Sequence, residues 1–296
     1  MSQSLFLSLT AMGLLLTGSA AHAQLLWSPE AASTSSHEMQ AGRQPSEKGA
    51  VASPPANHSG HNSRRGTTLF LQDGHDATLW MITPTLESRP LELEDADGQL
   101  TIPKTGMENY HALVASRQKD ALHESSLRYV YLQGKPTGRS PAELMANNKL
   151  PLEIVPDPMA REHARFLSQM KQSFMVRFQG HPVSDVWVEF ISSHGTKLEA
   201  KTDAAGRVSV IIPDDFKSVI PGRKNNKPAE FTLSSSYAHE GILYRTNFST
   251  PYSVNPSHWQ SSNVGLFMLT FGFMSGLVAM RRAKPEINNR RKEGSA

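Results

Sequence analysis

The chain has 296 residues, contains no cysteine and carries a formal net charge of +3 at pH 7. Without cysteine it can form no disulfide, no thiolate metal site and no cysteine nucleophile. Residues 281–296 alone carry +4, so the remaining residues 1–280 carry −1. Because the bulk of the chain has no excess of basic residues, the composition excludes nucleic-acid binding as its function.

Residues 1–23 are predicted to form a secretory signal peptide. An apolar stretch runs from Leu5 to Leu16, and Ala21-His22-Ala23 is typical of a cleavage site, with cleavage after Ala23. No Lys or Arg precedes Leu5, so an uncleaved anchor is the alternative. With the signal peptide removed, the bulk of the chain is expected outside the cytoplasm.

A second apolar segment lies near the C-terminus, where residues 264–280 contain no charge and are followed by Arg281, Arg282 and Lys284. As a helix this segment would reach roughly 26 Å, which favours a transmembrane helix over the alternative of a buried core helix. Residues 251–263 would be a juxtamembrane linker. Residues 281–296 would be a basic cytoplasmic tail in contact with the lipid bilayer. The predicted location is therefore the inner membrane, single-pass, with the bulk in the periplasm.

Residues 24–66 are predicted to be a disordered, histidine-containing arm. From Ser28 onward this segment is dominated by small and polar residues, with few large aliphatic side chains. Such a composition buries too little apolar surface to offset the entropy lost on ordering.

Two segments have the alternating pattern of β-strands. Residues 67–135 contain short apolar runs separated by turn residues, and predict a first β-sandwich domain. Residues 173–250 alternate more clearly, with Val186, Val188 and Phe190 expected to point to the core of a second β-sandwich domain. Between two of its strands, Asp203 and Gly206 are suited to a tight turn rather than to calcium binding.

A connector at residues 136–172 is predicted between the two domains. Ser140, Pro141 and Glu143 form a capping box that predicts the start of a short helix. Residues 152–155 are predicted to form a strand. The connector also has apolar residues at helical spacing, which predict a helical insert: Met159, His163, Phe166, Leu167 and Met170. The predicted fold class is all-β: two tandem Ig-like or prealbumin-like sandwiches with this short insert.

Three histidines are candidate metal ligands. His58 and His61 stand three residues apart in the arm and could approach one divalent ion together, and His75 could join them. Neutral imidazole suits nickel, copper and zinc. The alternative is a polar linker that contains histidine without binding a metal.

The second β segment carries a family resemblance. Five features follow one another in this order: the strand at residues 152–155, Pro156-Asp157-Pro158, the turn at residues 180–183, the strand from Val186 to Phe190 and the turn at residues 202–207. This order resembles a periplasmic family of unknown function associated with nickel and cobalt uptake. The resemblance covers mainly residues 150–250. It implies Ig-like or prealbumin-like β domains behind a signal peptide, with Ni²⁺ or Co²⁺ as bound cargo and an inner-membrane transporter as partner.

Two functions are predicted from these observations, and a third is disfavoured. The first is a membrane-anchored periplasmic accessory protein that assists nickel or cobalt uptake without catalysis. The second is a structural or protein-interaction module of a cell-envelope complex with no metal role. An enzyme is disfavoured, because the sequence contains no nucleophile elbow, phosphate-binding glycine loop or His-Glu-x-x-His motif, and no catalytic residue or resident cofactor is predicted.

Overall fold

A computed structural model describes residues 24–30, 67–159, 166–260 and 262–282. The predicted signal peptide, most of the predicted arm and most of the basic tail lie outside these residues. The described part is built mainly of β-strands, which confirms the all-β prediction.

Within the described residues, eight strands precede helix α1 (Pro141–Ala146). They are β1 (Leu26–Ser28), β2 (Thr68–Gln72), β3 (Thr78–Ile82), β4 (Ser88–Leu91), β5 (Gln99–Thr101), β6 (Met107–Lys119), β7 (Leu122–Leu132) and β8 (Lys135–Pro136). Helix α1 follows, and nine more strands lead to the C-terminal helix α2 (Ser262–Arg282). These strands are β9 (Leu152–Pro156), β10 (Phe166–Leu167), β11 (Lys171–Phe178), β12 (His181–Pro182), β13 (Trp187–Ser192), β14 (Lys197–Lys201), β15 (Arg207–Ile211), β16 (Ala229–His239) and β17 (Ile242–Ser253).

The largest sheet has ten strands and contains strands from both halves of the chain. Its main order is β14-β13-β16-β17-β7-β6-β3-β4, with β10 beside β17 and β8 beside β6. The halves meet where β7 pairs in parallel with β17, from Leu122 opposite Leu243 to Leu127 opposite Phe248. Because this ladder crosses the predicted domain boundary, the prediction of two tandem sandwiches is not confirmed.

A smaller sheet packs on the C-terminal end of the large one. In it β11 pairs with β9 and β15, and makes a hairpin with β12. Aromatic side chains fill the space between the two sheets: the Phe174 ring centre lies 6.1 Å from that of Phe231 and 5.7 Å from that of Phe248. Phe190 stacks on Phe231 with ring centres 4.9 Å apart. The alternation read in β13 is therefore confirmed, since Val188 and Phe190 are buried in this core.

A third sheet, in the order β1-β2-β5, packs on the other face of the large sheet near β3 and β6. Strand β6 is buried on both faces as a result. Ala112 and Val114 belong to the core shared with β11, whereas Leu113 and Ala115 belong to the core shared with β1 and β2. The period of two in a strand produces this division, because successive side chains point to opposite faces.

The first described residues correct the prediction of a disordered arm from residue 24. Leu25 and Trp27 are fully buried, and β1 pairs with β2. Asn247 Nδ2 donates to the Leu25 carbonyl at 2.8 Å, and Ser249 Oγ donates to the Trp27 carbonyl at 2.9 Å. The prediction was wrong here because the composition of the long polar segment outweighed the short apolar run that precedes it.

The connector was predicted in part. Helix α1 has the capping box, in which the Ser140 side chain accepts from the first turn and Glu143 reaches back to the Ser140 amide. Strand β9 is also confirmed. The helical insert is wrong at Phe166 and Leu167, which form β10 and pair in parallel with β17. The Phe166 ring lies 5.5 Å from that of Phe231, so core packing overrides the helical spacing. Residues 160–165 lie outside the described residues.

The turn between β14 and β15 is confirmed. Asp203 Oδ1 accepts from the amides of Ala205 and Arg207 at 2.9 and 2.8 Å. Gly206 has a φ of 70°, and a Cβ there would stand 2.9 Å from the Val176 carbonyl oxygen. The Asp203 carboxylate is therefore used for turn formation.

Helix α2 covers the predicted transmembrane segment. Several large apolar side chains of α2 are exposed, including Leu269, Phe273 and Met280. None of the helices within the described residues combines the length and apolar character needed to cross a bilayer. The transmembrane helix at residues 264–280 is thus supported by the sequence alone and stays a prediction.

Replacing Trp27 with alanine should destabilise the protein strongly, because Trp27 is 1% exposed and fills the core between β1 and β6. Truncating a buried tryptophan costs about 3–5 kcal/mol in free energy of unfolding. Urea unfolding followed by circular dichroism measures this. Trp187→Ala is the matched control, since Trp187 is 58% exposed and should cost far less. Equal losses in the two variants would contradict the docked position of β1.

Candidate functional site

A groove of about 740 Å³ lies on the outer face of the β9–β11 sheet. This volume lies within the range of about 300–1,000 Å³ found for ligand sites. We call it the α1 groove. It is lined by Ser140, Pro141, Ala142, Met145, Ala146, Val155, Pro156, Asp157, Pro158, Met159, Met175 and Arg177.

Alternation along β11 separates the groove from the core. Phe174, Val176 and Phe178 point inward and are buried among the aromatic residues. Met175 and Arg177 lie on the opposite face and line the groove. The groove therefore lies on the outer face of the sheet, and the aromatic core lies on its inner face.

Two buried cations hold α1 over this outer face. The Lys149 ammonium donates to the carbonyls of Leu144 and Asn147 at 3.0 and 2.5 Å. The Arg177 guanidinium donates to the Met145 carbonyl at 2.7 Å and to the Asn147 carbonyl at 2.6 Å. The last carbonyls of a helix lack partners within the helix and carry partial negative charge, so these contacts stabilise its C-terminal end.

One carboxylate lies between the two cations. Glu153 on β9 accepts from Arg177 Nε at 2.8 Å and lies 3.2 Å from Lys149 Nζ. The side chains of Lys149 and Glu153 are fully buried. Burial lowers the pKa of Lys149 from 10.5 to about 8, although the charge of Glu153 opposes that shift. We call Lys149, Glu153 and Arg177 the buried triad.

The polar groups at the rim of the groove are also engaged. Ser140 Oγ accepts from the Ala142 amide at 3.2 Å as part of the capping box. Asp157 Oδ2 accepts from Arg207 Nε at 2.7 Å. The groove thus combines an apolar lining with polar side chains that are committed to holding its walls.

A second polar cluster surrounds Asp215. The Asp215 carboxylate accepts from Ser192 Oγ at 2.5 Å, from Thr196 Oγ1 at 2.7 Å and from the Tyr252 hydroxyl at 2.5 Å. Burial and the bond to Asp215 raise the pKa of Tyr252 above its ordinary value. Ser192 donates to Asp215 and not to the nearby His194, so the arrangement anchors a loop and does not activate a nucleophile.

Of the three candidate metal ligands, the structure describes only His75. His75 is exposed between β2 and β3, and His58 and His61 lie outside the described residues. Among the residues that the structure describes, no group of three or more His, Cys, Asp or Glu side chains could hold a metal ion. The histidine site therefore stays a prediction.

The sequence analysis missed the α1 groove and the buried triad. Two signals were available: a lysine and a glutamate four residues apart at positions 149 and 153, and an arginine in an otherwise apolar strand at position 177. Buried charges are rare unless paired, so an arginine within the run Phe174-Met175-Val176-Arg177-Phe178 indicates a partner. The identity of that partner depends on the strand register, which the sequence does not specify.

Comparison with known proteins gives little information. No family model matches the chain, and no curated protein matches it. One similar solved structure is described as a Ca²⁺-stabilised adhesin that helps an Antarctic bacterium reach out and bind ice, with a TM-score of 0.25 and 10% sequence identity. The match covers 64% of this chain and 43% of that chain. A likeness at this level carries no argument about fold or function.

The lowered pKa of Lys149 predicts a pH dependence of stability. Between about pH 8 and 10.5 the unfolded chain holds the Lys149 proton and the folded chain has released it. Stability rises with pH wherever the unfolded state binds more protons. The difference in free energy of unfolding between the wild type and Lys149→Met should therefore increase in favour of the wild type from about pH 8 to 10.5. Urea titrations at several pH values measure it, and a flat or falling difference would contradict a desolvated Lys149.

Proposed function

We propose that the protein is a non-catalytic interaction module of a cell-envelope complex, and that the α1 groove receives an apolar segment of a membrane-protein partner. The observation that supports this most directly is a 740 Å³ groove with a largely apolar lining on a rigid sheet. Three of the lining residues, Met145, Met159 and Met175, are methionines. Methionine is flexible and polarisable, and suits surfaces that adapt to apolar side chains.

The walls of the groove favour binding because they are fixed in advance. Helix α1 is tied to β9 and β11 by the buried triad, and Asp157 is tied to β15 through Arg207. Ordering side chains and loops on binding costs free energy, and a preformed site avoids part of that cost. The polar groups are already paired, so an apolar segment would leave none of them without a partner.

The proposed location is the inner membrane, with the β-sheets in the periplasm. This part of the proposal rests on the sequence: the signal-peptide pattern of residues 1–23, the uncharged segment at residues 264–280 and the basic residues after it. The exposure of Leu269, Phe273 and Met280 on α2 is compatible with a lipid environment. Such an anchor would keep the groove close to other membrane proteins.

We also propose an Ig-like assignment for the C-terminal half. Strands β9, β11 and β15 face strands β14, β13, β16 and β17 across one aromatic core. Strand β10 runs parallel to β17 at the edge of that arrangement. Two facing sheets in this order are typical of Ig-like sandwiches.

Nickel or cobalt handling is the second candidate function. It is favoured by the family resemblance over residues 150–250 and by His58 and His61 in the predicted arm. In this alternative the arm captures the ion and a transporter receives it. The interaction module needs no ion.

Site-specific photocrosslinking tests the interaction module. A benzophenone amino acid at Ala142, which is exposed and lines the groove, should form a crosslink to a membrane protein in intact cells. The same probe at Glu240, an exposed turn residue between β16 and β17, is the matched control and should not. Met175→Glu should abolish the Ala142 product, because it places a charge in the groove. Equal products from both positions, or a product that survives Met175→Glu, would contradict the proposal.

Calorimetric titration tests the metal alternative. Ni²⁺ and Co²⁺ are added to the purified protein and to a His58→Ala, His61→Ala double variant. If the arm captures the ion, the wild type should bind with a Kd in the micromolar range or tighter and the double variant should bind more weakly, because two imidazole ligands are lost. Binding that is unchanged in the variant would argue against the arm, and absence of binding to both would leave the interaction module alone.

A further inference from the structure

The heteroatoms of the α1 groove differ in availability. Among the described side chains that line it, the polar ones are Ser140, Asp157 and Arg177, and each is engaged in the contacts given above. The Arg177 guanidinium donates four hydrogen bonds: Nε to Glu153, Nη1 to the Ala146 carbonyl, and Nη2 to the carbonyls of Met145 and Asn147. Beside these polar side chains, the lining contains the sulfur atoms of three methionines.

These methionines come from three separate elements. Met145 lies in the last turn of α1 and is 8% exposed, Met159 follows β9, and Met175 lies on the outer face of β11. Met159 and Met175 are partly buried and pack against the same core cluster that contains Met145. Three methionines in one groove, in a chain without cysteine, supply a set of neutral thioether donors.

Thioether ligands select soft ions. Thiolates and thioethers favour Cu(I), whereas Ni²⁺, Co²⁺ and Zn²⁺ are better served by imidazole. The charge beneath the groove acts in the same direction. Lys149 and Arg177 carry two positive charges against the single negative charge of Glu153, so the triad repels a divalent ion about twice as strongly as a monovalent one.

We propose that the α1 groove is a binding site for a soft monovalent metal ion, Cu⁺ in the cell and Ag⁺ as its redox-inert analogue, held by the thioethers of Met145, Met159 and Met175. The inference rests on the proposed function only in taking the same groove as the binding site. It differs from the histidine hypothesis in the metal, in the ligands and in the position on the chain.

The test is a competition between the purified full-length protein and a coloured Cu(I) chelator under anaerobic conditions. The variant replaces all three methionines with leucine, which is close in volume and keeps the lining apolar. The wild type should withdraw Cu⁺ from the chelator, and the triple variant should bind at least about tenfold more weakly. Met170→Leu is the matched control, because Met170 is 49% exposed and outside the groove, and it should bind like the wild type.

Direct contact is checked with Ag⁺ and protein carrying ¹³C-methyl methionine. The methyl signals of the three groove methionines, assigned from single leucine variants, should shift on addition of Ag⁺, and that of Met170 should not. Equal Cu⁺ affinity in wild type and triple variant would overturn the proposal. The proposal would also be overturned if the His58→Ala, His61→Ala variant lost its Cu⁺ affinity while the leucine variant retained it.

The same leucine variant separates this inference from the proposed function. Since leucine preserves the apolar lining, the Ala142 crosslink should persist in the triple variant. A crosslink without Cu⁺ binding would overturn the soft-ion site and leave the interaction module. Methionine-dependent Cu⁺ binding without any crosslink would support the soft-ion site and contradict the interaction module.

Discussion

The structure depends on one parallel ladder between strands that are far apart in sequence. Strand β7, at residues 122–132, pairs with β17, at residues 242–253, and so joins the N-terminal strands to the C-terminal ones in a single sheet. Charged side chains reinforce the join. Glu124 on β7 accepts from Arg245 on β17 at 3.3 Å and from Arg117 on β6 at 2.6 Å.

A second charged contact lies on the same join. Arg128 on β7 donates two hydrogen bonds to Glu230 on β16, at 2.7 and 3.0 Å. Arg128 is 5% exposed, so the pair is largely desolvated and removal of either partner would leave a buried charge. Such a pair adds little net stability, because the cost of desolvating both charges offsets their attraction. Here the register places the aromatic core of the C-terminal half directly against strands β6 and β7.

The α1 groove is a consequence of this arrangement. The large sheet supplies one wall of the aromatic core, and β9 and β11 supply the other with their inner faces. The outer faces of β9 and β11 are then free to carry α1, which the buried triad fixes in position. The core and the groove therefore use opposite faces of β11, and Val155 and Met175 of the groove lining also pack with the core cluster.

The sequence predicted the local features of the fold well. The capping box at Ser140 and the turn at Asp203 were confirmed, because both are set by residues within a few positions of each other. The all-β class was confirmed for the same reason, since alternation is a short-range signal. The pairing of β7 with β17 could not be predicted, because many strand pairings satisfy the same alternation.

Two other failures have the same physical origin. Phe166 and Leu167 have helical spacing with their neighbours, but the contact of Phe166 with Phe231 places them in a strand. Leu25 and Trp27 stand next to a long polar segment, but a complementary surface on β2 and β17 buries them. The candidate site was missed because its members come from three elements. Lys149, Glu153 and Arg177 converge only once the β9–β11 register is known.

Hydrogen exchange of the native protein under increasing denaturant is the most direct test of this account. If the β7–β17 ladder makes the described sheets one cooperative unit, the amides of β6, β7, β16 and β17 should share one opening free energy and lose protection together. The amides of β9 and β11 beneath the groove should follow them. Two separate groups, with strands up to β7 opening at a different free energy from β9 onward, would show that the halves fold independently and would contradict the account.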